Sequence, residues 1–402
     1  MQAPVNVLLL EQIHPDAVEL LQSDGFQVTS VDRAMDEDEL IDALHGIHLL
    51  GIRSKTQVTD RVLGSAPNLL AIGAFCIGTN QIDVSSATMH GVTVFNAPFS
   101  NTRSVVELAI AELIALTRRM TEKNSLMHDG VWDKSAVGAH EVRGRTLGIV
   151  GYGNIGTQLS VLAESLGMRV LFYDTTDKLA LGNAQRRTTI KELLHDSDVV
   201  TLHVDGRPEN RNIFGEAEFA AMRYGSIFMN LSRGFVVDYA ALRMHIERGH
   251  IVGAAVDVFP LEPKGRGDEF VSELRGLPNV ILTPHIGGST EEAQQDIGQF
   301  VANKFRNFVA EGSTSLSVNL PGLDLSRRRD TLRMVHLHRN VPGVLARING
   351  LLAEHQVNVE AQLLGTRGEV GYVVTDSASG VTQDIVDQIR SMPETIRLRV
   401  LF

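Results

Sequence analysis

Three polar residues with complementary chemistry each follow a short apolar run in the second half of the chain. Arg233 comes after SIFMNLS, Glu262 closely follows IVGAAVDVF, and His285 comes after NVILTP. An imidazole can take the proton of an alcohol near neutral pH, and a carboxylate can orient it and stabilise its protonated form. A guanidinium can hold a substrate carboxylate with two hydrogen bonds. This set suits the oxidation of a 2-hydroxy acid, although each residue taken alone is also typical of an ordinary surface or structural position.

A glycine-rich segment, GYGNIGTQL, indicates a dinucleotide as the partner in such a reaction. Gly151, Gly153 and Gly156 follow the apolar run TLGIV and open a helical pattern. The glycines let the backbone approach a pyrophosphate. The N–H groups at the start of the helix, around Asn154 and Ile155, can then bind it.

An acidic residue at the end of the next apolar run indicates which dinucleotide is bound. Asp174 closes RVLFYD, twenty-three residues after Gly151. Its carboxylate can accept hydrogen bonds from both ribose hydroxyls and repels a 2′-phosphate, which favours NAD over NADP. We also assign Asp257, in IVGAAVDVF, to the cofactor site. The alternative is a glycine-rich turn with a solvated aspartate.

These residues need an open parallel sheet to bring them together, and the apolar runs have the pattern of one. Six short runs after residue 146 are apolar almost throughout, as strands are when both faces of their sheet are buried. Ligands bind beyond the carboxyl ends of such strands, where the three polar residues would converge. We predict a Rossmann-type doubly wound NAD-binding domain over residues 99–286.

The rest of the chain indicates two further domains. Short apolar runs and helix-like segments alternate in the first part of the chain, and a helix beginning EEAQQDIGQF returns to it. We predict a flavodoxin-like substrate-binding domain formed by residues 1–98 and 287–318. A linker over residues 319–330 precedes residues 331–402, whose βαββαβ order is the ferredoxin-like plan. The predicted fold class is therefore α/β with the NAD-binding domain inserted in the substrate domain.

Composition argues against several other classes of protein. The net charge of -11 disfavours nonspecific nucleic-acid binding, and no run approaches the ~20 apolar residues that a membrane span needs. The single cysteine, Cys76, cannot form a disulfide within the chain. Together with an N-terminal segment that lacks a basic leader, this predicts a cytoplasmic protein. We expect no bound metal.

Several motifs resemble those of the D-isomer-specific 2-hydroxyacid dehydrogenase family. The likeness covers nearly the whole chain and includes IGAFCIGTNQID, FNAPFSNTRSVVELAI, GYGNIGTQL, SRGFVVD, AAVDVFPLEP and LTPHIGGSTEEAQ. The catalytic arginine, glutamate and histidine of that family fall on Arg233, Glu262 and His285. The resemblance implies NAD-dependent oxidation of D-3-phosphoglycerate to 3-phosphohydroxypyruvate, the first step of L-serine biosynthesis. The alternatives are a dehydrogenase for 2-hydroxyglutarate, glycerate or lactate, or a non-catalytic sensor of NADH or an amino acid.

The resemblance also implies which residues contact the substrate. Arg53 and Ser54 of GIRSKT hold it, with Asn101 of FSNTRS beside them. Lys55, where close relatives more often have arginine, and Lys134 of GVWDK are further candidates. A substrate with both a phosphate and a carboxylate explains a basic cluster in an acidic protein, although each residue is also consistent with a solvated surface charge.

The last domain resembles an ACT domain, a module that binds small metabolites. In serine-inhibited relatives an H-x-N-x-P-G motif and a later asparagine hold serine, and these match His338, Asn340 and Asn358. The resemblance implies a homo-oligomer, with a tetramer favoured, in which serine bridges two chains and Trp132 lies at a subunit contact. The alternative is a domain that only assembles the oligomer. Residues 326–329, Ser-Arg-Arg-Arg, stand where relatives can have a Gly-Gly hinge, which leaves the coupling open.

Overall fold

The computed structural model describes residues 4–263, 267–327, 330–378 and 380–401. The chain divides into two compact units, one formed by residues 1–100 with 294–402 and the other by residues 101–293. Two arginines of the predicted arginine-rich linker, Arg328 and Arg329, lie outside the described residues. Within the described ranges, no helix is both long and apolar enough to cross a lipid bilayer.

The first unit contains a five-stranded parallel sheet. Its strands are β1 (Asn6–Leu10), β2 (Gln27–Val31), β3 (Leu49–Ile52), β4 (Ala71–Ala74) and β5 (Thr93–Asn96). The helices beside them are α1 (Pro15–Ser23), α2 (Glu37–Ala43), α3 (Asp60–Ser65) and α4 (Val84–Met89). The strand order β2-β1-β3-β4-β5 is that of a flavodoxin-like fold, which confirms the prediction for this domain.

The second unit contains a seven-stranded parallel sheet. Its strands are β6 (Thr146–Val150), β7 (Arg169–Tyr173), β8 (Gln185–Arg186), β9 (Val199–Leu202), β10 (Ser226–Asn230), β11 (Ile251–Val256) and β12 (Val280–Leu282). The order is β12-β11-β10-β9-β6-β7-β8. All residues of β6, β9 and β10 are buried, as expected for strands with helices on both faces. The predicted Rossmann-type architecture is confirmed.

Helices cover both faces of this larger sheet. They are α5 (Thr102–Thr117), α6 (Met120–His128), α7 (Asn154–Ser165), α8 (Ile190–Asp196), α9 (Glu216–Ala221) and α10 (Tyr239–Glu247), with short 3-10 turns at Pro208–Asn210 and Gly234–Val236. The sequence predicts one continuous helix over residues 101–120. In the structure α5 ends at Thr117, because Arg119 has a left-handed backbone conformation (φ 54°) and a second helix starts after it. After β12, the helix α11 (Glu291–Glu311) leads back into the first unit.

The C-terminal domain has the predicted βαββαβ order and an antiparallel sheet. Its elements are β13 (Leu332–Arg339), α12 (Val344–Glu354), β14 (Val359–Arg367), β15 (Val370–Ser377), α13 (Gln383–Arg390) and β16 (Thr395–Leu401). The strand order is β14-β15-β13-β16. One sheet face packs on α12 and α13 through Met334, Ile348 and Ile385. The other packs on the preceding segment through Val335 and Leu320.

The segment before the C-terminal domain is fixed to the five-stranded sheet. Asn319 is buried, its amide donates to the carbonyl of Val92 (2.8 Å), and its carbonyl oxygen accepts from the N–H of Val94 (2.8 Å). Tyr372, in β15, donates its hydroxyl hydrogen to the carbonyl of Gly312 (2.8 Å). Within the first unit, the C-terminal domain is therefore anchored to the residues around the five-stranded sheet by buried hydrogen bonds as well as by the chain itself.

Candidate active site

The histidine and glutamate predicted to act together are hydrogen-bonded in the second unit. His285 Nδ1 lies 2.8 Å from Glu262 Oε2 and 3.0 Å from Oε1. The side chains are 48% and 37% exposed, so a ligand can reach the imidazole. Because Nδ1 faces a carboxylate, it carries the ring proton, and Nε2 is left with a lone pair that can accept one.

Each of these residues follows the carboxyl end of a neighbouring strand. Arg233 comes after β10, Glu262 after β11 and His285 after β12. Gly234 allows the loop of Arg233 to lie against the loop of Glu262, since a Cβ there would stand 2.0 Å from the main-chain carbon of Phe259. The sheet order and this close approach together bring the three side chains to one edge.

A buried polar network holds the loops that carry Arg233 and Glu262. The amide of Asn230 donates to the carbonyl of Arg233 (3.1 Å) and to the hydroxyl of Tyr239 (3.0 Å). Tyr239 in turn donates to the carbonyl of Val258 (2.7 Å). Ser232 donates through its N–H and its hydroxyl to the Asn230 carbonyl oxygen. Sequence reasoning missed these positioning residues, because nothing in the local pattern marks a buried asparagine at a strand end.

The charges of Arg233, Glu262 and His285 shift the pKa values of the glutamate and the histidine. The hydrogen bond and negative charge of Glu262 raise the pKa of His285, although burial and the positive charge of Arg233 oppose the rise. Burial raises the pKa of Glu262, but the hydrogen bond and charge of His285 outweigh it and hold that pKa below its ordinary value. The pair therefore favours an imidazolium next to a carboxylate, the state that a histidine base reaches after it takes a proton.

A cavity of ≈ 530 Å³ adjoins the histidine–glutamate pair. Besides these two side chains it is lined by Phe259, Pro263, Phe270, Arg275, Leu282, Thr283 and Pro284. Most of this lining is apolar. An apolar surrounding strengthens the electrostatic interaction between the imidazole and the carboxylate.

The glycine-rich loop between β6 and α7 has the geometry that close approach to a ligand requires. Gly151 has φ 94°, and a Cβ there would lie 2.5 Å from the carbonyl oxygen of His203. A Cβ at Gly156 would lie 2.3 Å from the carbonyl oxygen of Gly151, whereas one at Gly153 would point into open space. The first main-chain hydrogen bond of α7 joins the N–H of Thr157 to the carbonyl of Gly153 (2.9 Å). The N–H groups of the first turn come before Thr157 and therefore have no acceptor within the helix.

Asp174 is tied to the same loop. Its Oδ2 accepts from the N–H of Tyr152 (2.9 Å), and its Oδ1 accepts from the N–H and the hydroxyl of Thr176 (both 2.9 Å). Burial raises the pKa of Asp174, but these hydrogen bonds outweigh it and keep the pKa below its ordinary value. The carboxylate is therefore ionised and fixed beside the glycine loop.

The predicted substrate residues are distributed over both units. In the first unit Arg53 is half-buried, and Ser54 and Lys55 are exposed, all directly after β3. In the second unit Asn101 lies against Gly288, where a Cβ would meet its amide nitrogen at 2.2 Å. Lys134 is exposed, with its ammonium nitrogen 5.8 Å from the centre of the Trp132 ring.

Comparison with known proteins agrees with this arrangement. A model described as D-isomer specific 2-hydroxyacid dehydrogenase, NAD binding domain, matches residues 110–287, and one described as AHAS small subunit-like ACT domain matches residues 334–397. The chain is 46% identical to the D-3-phosphoglycerate dehydrogenase of Haemophilus influenzae over 100% of this chain and 98% of that protein. It is also 46% identical to the D-3-phosphoglycerate dehydrogenase of Dictyostelium discoideum, over 99% of this chain and 97% of that protein.

The chain belongs to the D-isomer specific 2-hydroxyacid dehydrogenase family. The solved structure of the D-lactate dehydrogenase from Aquifex aeolicus, complexed with NAD and lactic acid, is similar to 79% of this chain with a TM-score of 0.70 and 25% identity, and the match covers 100% of that chain. The dehydrogenase is thus an NAD-dependent oxidoreductase with a C-terminal ACT domain, which confirms the predicted family, cofactor and fold class.

The residues present fit the cofactor. The side of Gly153 on which a Cβ would point is open, and the N–H groups of Asn154 and Ile155 stand at the N-terminus of a twelve-residue helix, where a pyrophosphate is stabilised. Asp174 Oδ2 accepts only one hydrogen bond and keeps a lone pair for a ribose hydroxyl. His203, beside this loop, is half-buried and bonded to Thr201 (3.0 Å), and desolvation of its ring lowers its pKa to about 4.

Asp257 is bonded to the loop that carries His285. It is buried, and its carboxylate accepts from the hydroxyl of Thr283 (2.6 Å) and from the N–H groups of Ile286 and Gly287 (both 2.8 Å). These bonds hold the chain on both sides of His285, whose own φ is 55°. Contact between Asp257 and the cofactor stays a prediction.

A second buried carboxyl lies next to Asp257, and sequence reasoning missed it. Glu112 comes from α5, which packs against β11 and β12, and it is 3% exposed. Neither oxygen makes a well-formed hydrogen bond within the described ranges. Burial raises the pKa of Glu112 to about 8, the charge of Asp257 adds to the rise, and the Thr283 hydroxyl opposes it. The signal in the sequence that could have revealed Glu112 was its position on the apolar face of a predicted helix.

We expect Glu112→Gln to stabilise the dehydrogenase in a pH-dependent way. Below about pH 4.5 the carboxyl is protonated in both the folded and the unfolded chain, so the variant and the wild type differ little from titration. As pH rises towards 8, only the unfolded chain ionises, and the wild type loses about 1.4 kcal/mol per pH unit relative to the variant. Urea unfolding at pH 5, 6.5 and 8 measures this difference.

The control for this variant is Glu107→Gln on the same helix. The side chain of Glu107 is 61% exposed, so the substitution removes one charge without removing a buried carboxyl. We expect its effect on the free energy of unfolding to stay nearly constant over the same pH range. A Glu112→Gln effect that is equally flat would show that the buried carboxyl does not titrate between pH 4.5 and 8.

The residues predicted to bind serine do not all meet within one chain. His338 is buried at the carboxyl end of β13, with Nδ1 2.8 Å from the carbonyl of Arg339, and the exposed Asn340 donates to the carbonyl of Gly368 (3.1 Å). Asn358 precedes β14, at the opposite end of the sheet, about 20 Å away along the strands. Two of the three residues therefore share one end, and the third lies at the other.

Proposed function

We propose that this dehydrogenase oxidises D-3-phosphoglycerate to 3-phosphohydroxypyruvate with NAD. The observation that carries the proposal is 46% identity over the full length to D-3-phosphoglycerate dehydrogenases. The hydrogen-bonded His285 and Glu262 beside Arg233 support it, because these groups supply what oxidation of a 2-hydroxy acid needs. The activity corresponds to the first step of L-serine biosynthesis.

The catalytic roles follow from the geometry of the three side chains. We assign His285 Nε2 as the base that takes the proton of the substrate hydroxyl, while Nδ1–H donates to Glu262 and the imidazolium that forms is stabilised by that carboxylate. Arg233 holds the substrate carboxylate through its guanidinium. NAD held by the glycine loop and Asp174 would supply the acceptor for the hydride that leaves the carbon bearing the hydroxyl group.

The phosphate end of the substrate is assigned to the cationic segment after β3. Arg53 and Lys55 carry positive charges there and Ser54 offers a hydroxyl, and the side chains of Ser54 and Lys55 are exposed. A phosphate carries up to two negative charges and accepts several hydrogen bonds, so it gains more from such a segment than an uncharged end group does. The assignment distinguishes D-3-phosphoglycerate from unphosphorylated 2-hydroxy acids.

The test compares substrates that differ in one group. NADH formation is measured with D-3-phosphoglycerate, D-glycerate, D-2-hydroxyglutarate and D-lactate, and we expect kcat/KM for the phosphorylated acid to exceed that for D-glycerate by about 100-fold or more. Lys55→Ala should reduce this ratio by about tenfold while the value for D-glycerate changes little. A wild-type enzyme that prefers an unphosphorylated acid would contradict the proposed substrate.

We further propose that serine is the effector and that the active enzyme is a homo-oligomer, with a tetramer favoured. His338 and Asn340 stand at one end of the ACT sheet and Asn358 at the other, so a site that uses all three requires a second copy. Trp132 (72% exposed) and Val137 (79% exposed) give the segment after α6 an apolar surface suited to a subunit contact. Adding L-serine to the substrate assay, with His338→Ala as the paired variant, tests the effector.

We place the enzyme in the cytoplasm and expect small molecules, not nucleic acid, as its ligands. One cysteine, Cys76, rules out a disulfide within the chain and suits a reducing compartment. A net charge of -11 disfavours attraction to a polyanion.

A further inference from the structure

The segment after β3 has its side chains and its main chain directed to different partners. Arg53 is half-buried, Ser54 and Lys55 are exposed, and Thr56 is fully buried. The side chains of Ser54 and Lys55 are therefore open to a ligand, whereas the segment is anchored at its end. The half-buried Arg53 guanidinium lies beside Glu11 and donates to its main-chain carbonyl (3.5 Å). A short segment of this kind holds its side chains in place only if its own main chain is fixed.

One buried carboxylate fixes that main chain. Glu11 follows β1 and is 7% exposed. Its Oε2 accepts from the N–H groups of Ser54 and Lys55 (both 3.0 Å), and its Oε1 accepts from the N–H of Thr56 (2.8 Å). Three consecutive N–H groups thus converge on a single side chain that follows another strand, forty-three to forty-five residues away in sequence.

The backbone around this glutamate is strained. Glu11 has φ 68° and Gln12 has φ 55°, a left-handed conformation that side chains other than glycine seldom adopt. The conformation is held by the N–H of Glu11, which donates to the carbonyl of Val31 (3.0 Å). Backbone strain of this kind persists where the surrounding structure requires it, and it is concentrated at functional sites.

A second side chain holds the same segment from the other side. Gln81, also buried, donates its amide to the carbonyl of Arg53 (2.5 Å) and to that of Gly78 (3.3 Å). The carbonyl at the start of the segment and the three N–H groups that follow are thereby all bonded to side chains. The segment is fixed by Glu11 and Gln81 together, although Glu11 follows β1 and Gln81 lies in the loop between β4 and α4.

These bonds also decide how an anion can be bound there. Three convergent N–H groups would otherwise form a site for a phosphate, as in glycine-rich anion-binding loops. Here the Glu11 carboxylate already occupies them from within the protein. Any anion at this segment must therefore be bound by the side chains of Arg53, Ser54 and Lys55 rather than by the main chain.

We propose that Glu11 is a positioning residue for substrate binding, which holds Arg53, Ser54 and Lys55 in the orientation that grips the substrate phosphate. The inference rests on the proposed function, because it assumes that these three side chains bind the substrate. Glu11 itself does not touch the substrate in this account. Its effect is transmitted through the main chain of the segment, so its loss should weaken substrate binding and leave cofactor binding intact.

The test uses two variants of the full-length enzyme. Glu11→Gln keeps the shape of the side chain but has one acceptor oxygen, and its NH2 group faces N–H donors. Glu11→Ala leaves the three N–H groups without the carboxylate. We expect the KM for D-3-phosphoglycerate to rise about 10- to 100-fold in both, because a small displacement of binding groups has effects of this size. The KM for NAD should stay within about twofold of the wild-type value.

A chemical rescue separates positioning from general damage. Formate is a small carboxylate that can occupy the space left in Glu11→Ala, so it should lower the KM for D-3-phosphoglycerate in that variant but not in Glu11→Gln, where the space is filled. Glu39→Gln is the matched control, because Glu39 in the same domain also accepts a main-chain N–H (Asp36, 3.2 Å) but is exposed. We expect this variant to behave as the wild type.

The outcomes distinguish this inference from the proposed function. The wild type is assayed first, and if it prefers another 2-hydroxy acid the proposed substrate is wrong and the variants are compared with that acid instead. An unchanged substrate KM in both Glu11 variants would overturn the positioning role. A parallel rise in the KM for NAD and for the substrate, with no response to formate, would also overturn it and indicate a purely structural residue.

Discussion

Replacing His285 with alanine is expected to lower kcat for the oxidation of D-3-phosphoglycerate by about 10²- to 10⁴-fold. The imidazole is about half exposed and its Nδ1 is bonded to Glu262, so Nε2 is the atom in this pair that can take a proton from the substrate. Without it, the hydroxyl proton must leave to water. NADH formation at saturating substrate and cofactor measures the loss, and cofactor affinity should change little.

Two further variants show whether the loss reflects the base itself. His195→Ala removes an exposed histidine from the same unit (83% exposed) and should leave kcat unchanged. Glu262→Gln should shift the acidic limb of the profile of kcat/KM against pH to lower pH, because Glu262 raises the pKa of His285 and the base must be neutral to act. A His285→Ala enzyme with wild-type turnover would remove this residue from the mechanism.

Replacing Asp376 with asparagine is expected to destabilise the folded chain by about 3–5 kcal/mol. Asp376, in β15, pairs with Arg333, in β13, and neither side chain is exposed. The two groups form two parallel hydrogen bonds of 2.6 and 2.7 Å, and the remaining Arg333 nitrogen donates to the carbonyls of Glu311 and Leu325. The substitution leaves the arginine charge buried without a counter-charge. Urea unfolding of the intact enzyme measures the change.

A surface pair in the same domain provides the control. Asp387 and Arg390 are bonded at 2.6 Å but are 55% and 53% exposed. Asp387→Asn makes the same chemical change and should alter the free energy of unfolding by less than about 1 kcal/mol. If the two substitutions have similar effects, the buried pair does not anchor the ACT domain in the way that its contacts indicate.

The elements that sequence reasoning identified were those with a strong local signal. The buried strands of the larger sheet appear as apolar runs, because both of their faces are covered by helices. Two edge strands, β2 and β8, were missed. Their residues are mostly exposed, and β8 consists of only Gln185 and Arg186, so neither has an apolar run to reveal it.

The same distinction applies to the active site. Glycines at fixed spacing after a strand, and Arg233, Glu262 and His285 at three strand ends, could be assigned because their types and local positions carry the information. Glu11, the main-chain contacts of Asp257 and the network around Asn230 could not. Their roles depend on hydrogen bonds to main-chain groups, and a main-chain N–H has no signature in the sequence.

The sequence by itself determined the order of strands and helices and the dinucleotide-binding loop, because apolar periodicity and glycine spacing are local properties of the chain. The family followed from the resemblance of its motifs. Only the tertiary structure decided which buried groups support the reacting ones. Glu11 under the substrate segment, Glu112 beside Asp257, and the Arg333–Asp376 pair each join residues that are dozens of positions or more apart. Such pairings depend on how strands and helices pack, which local patterns do not encode.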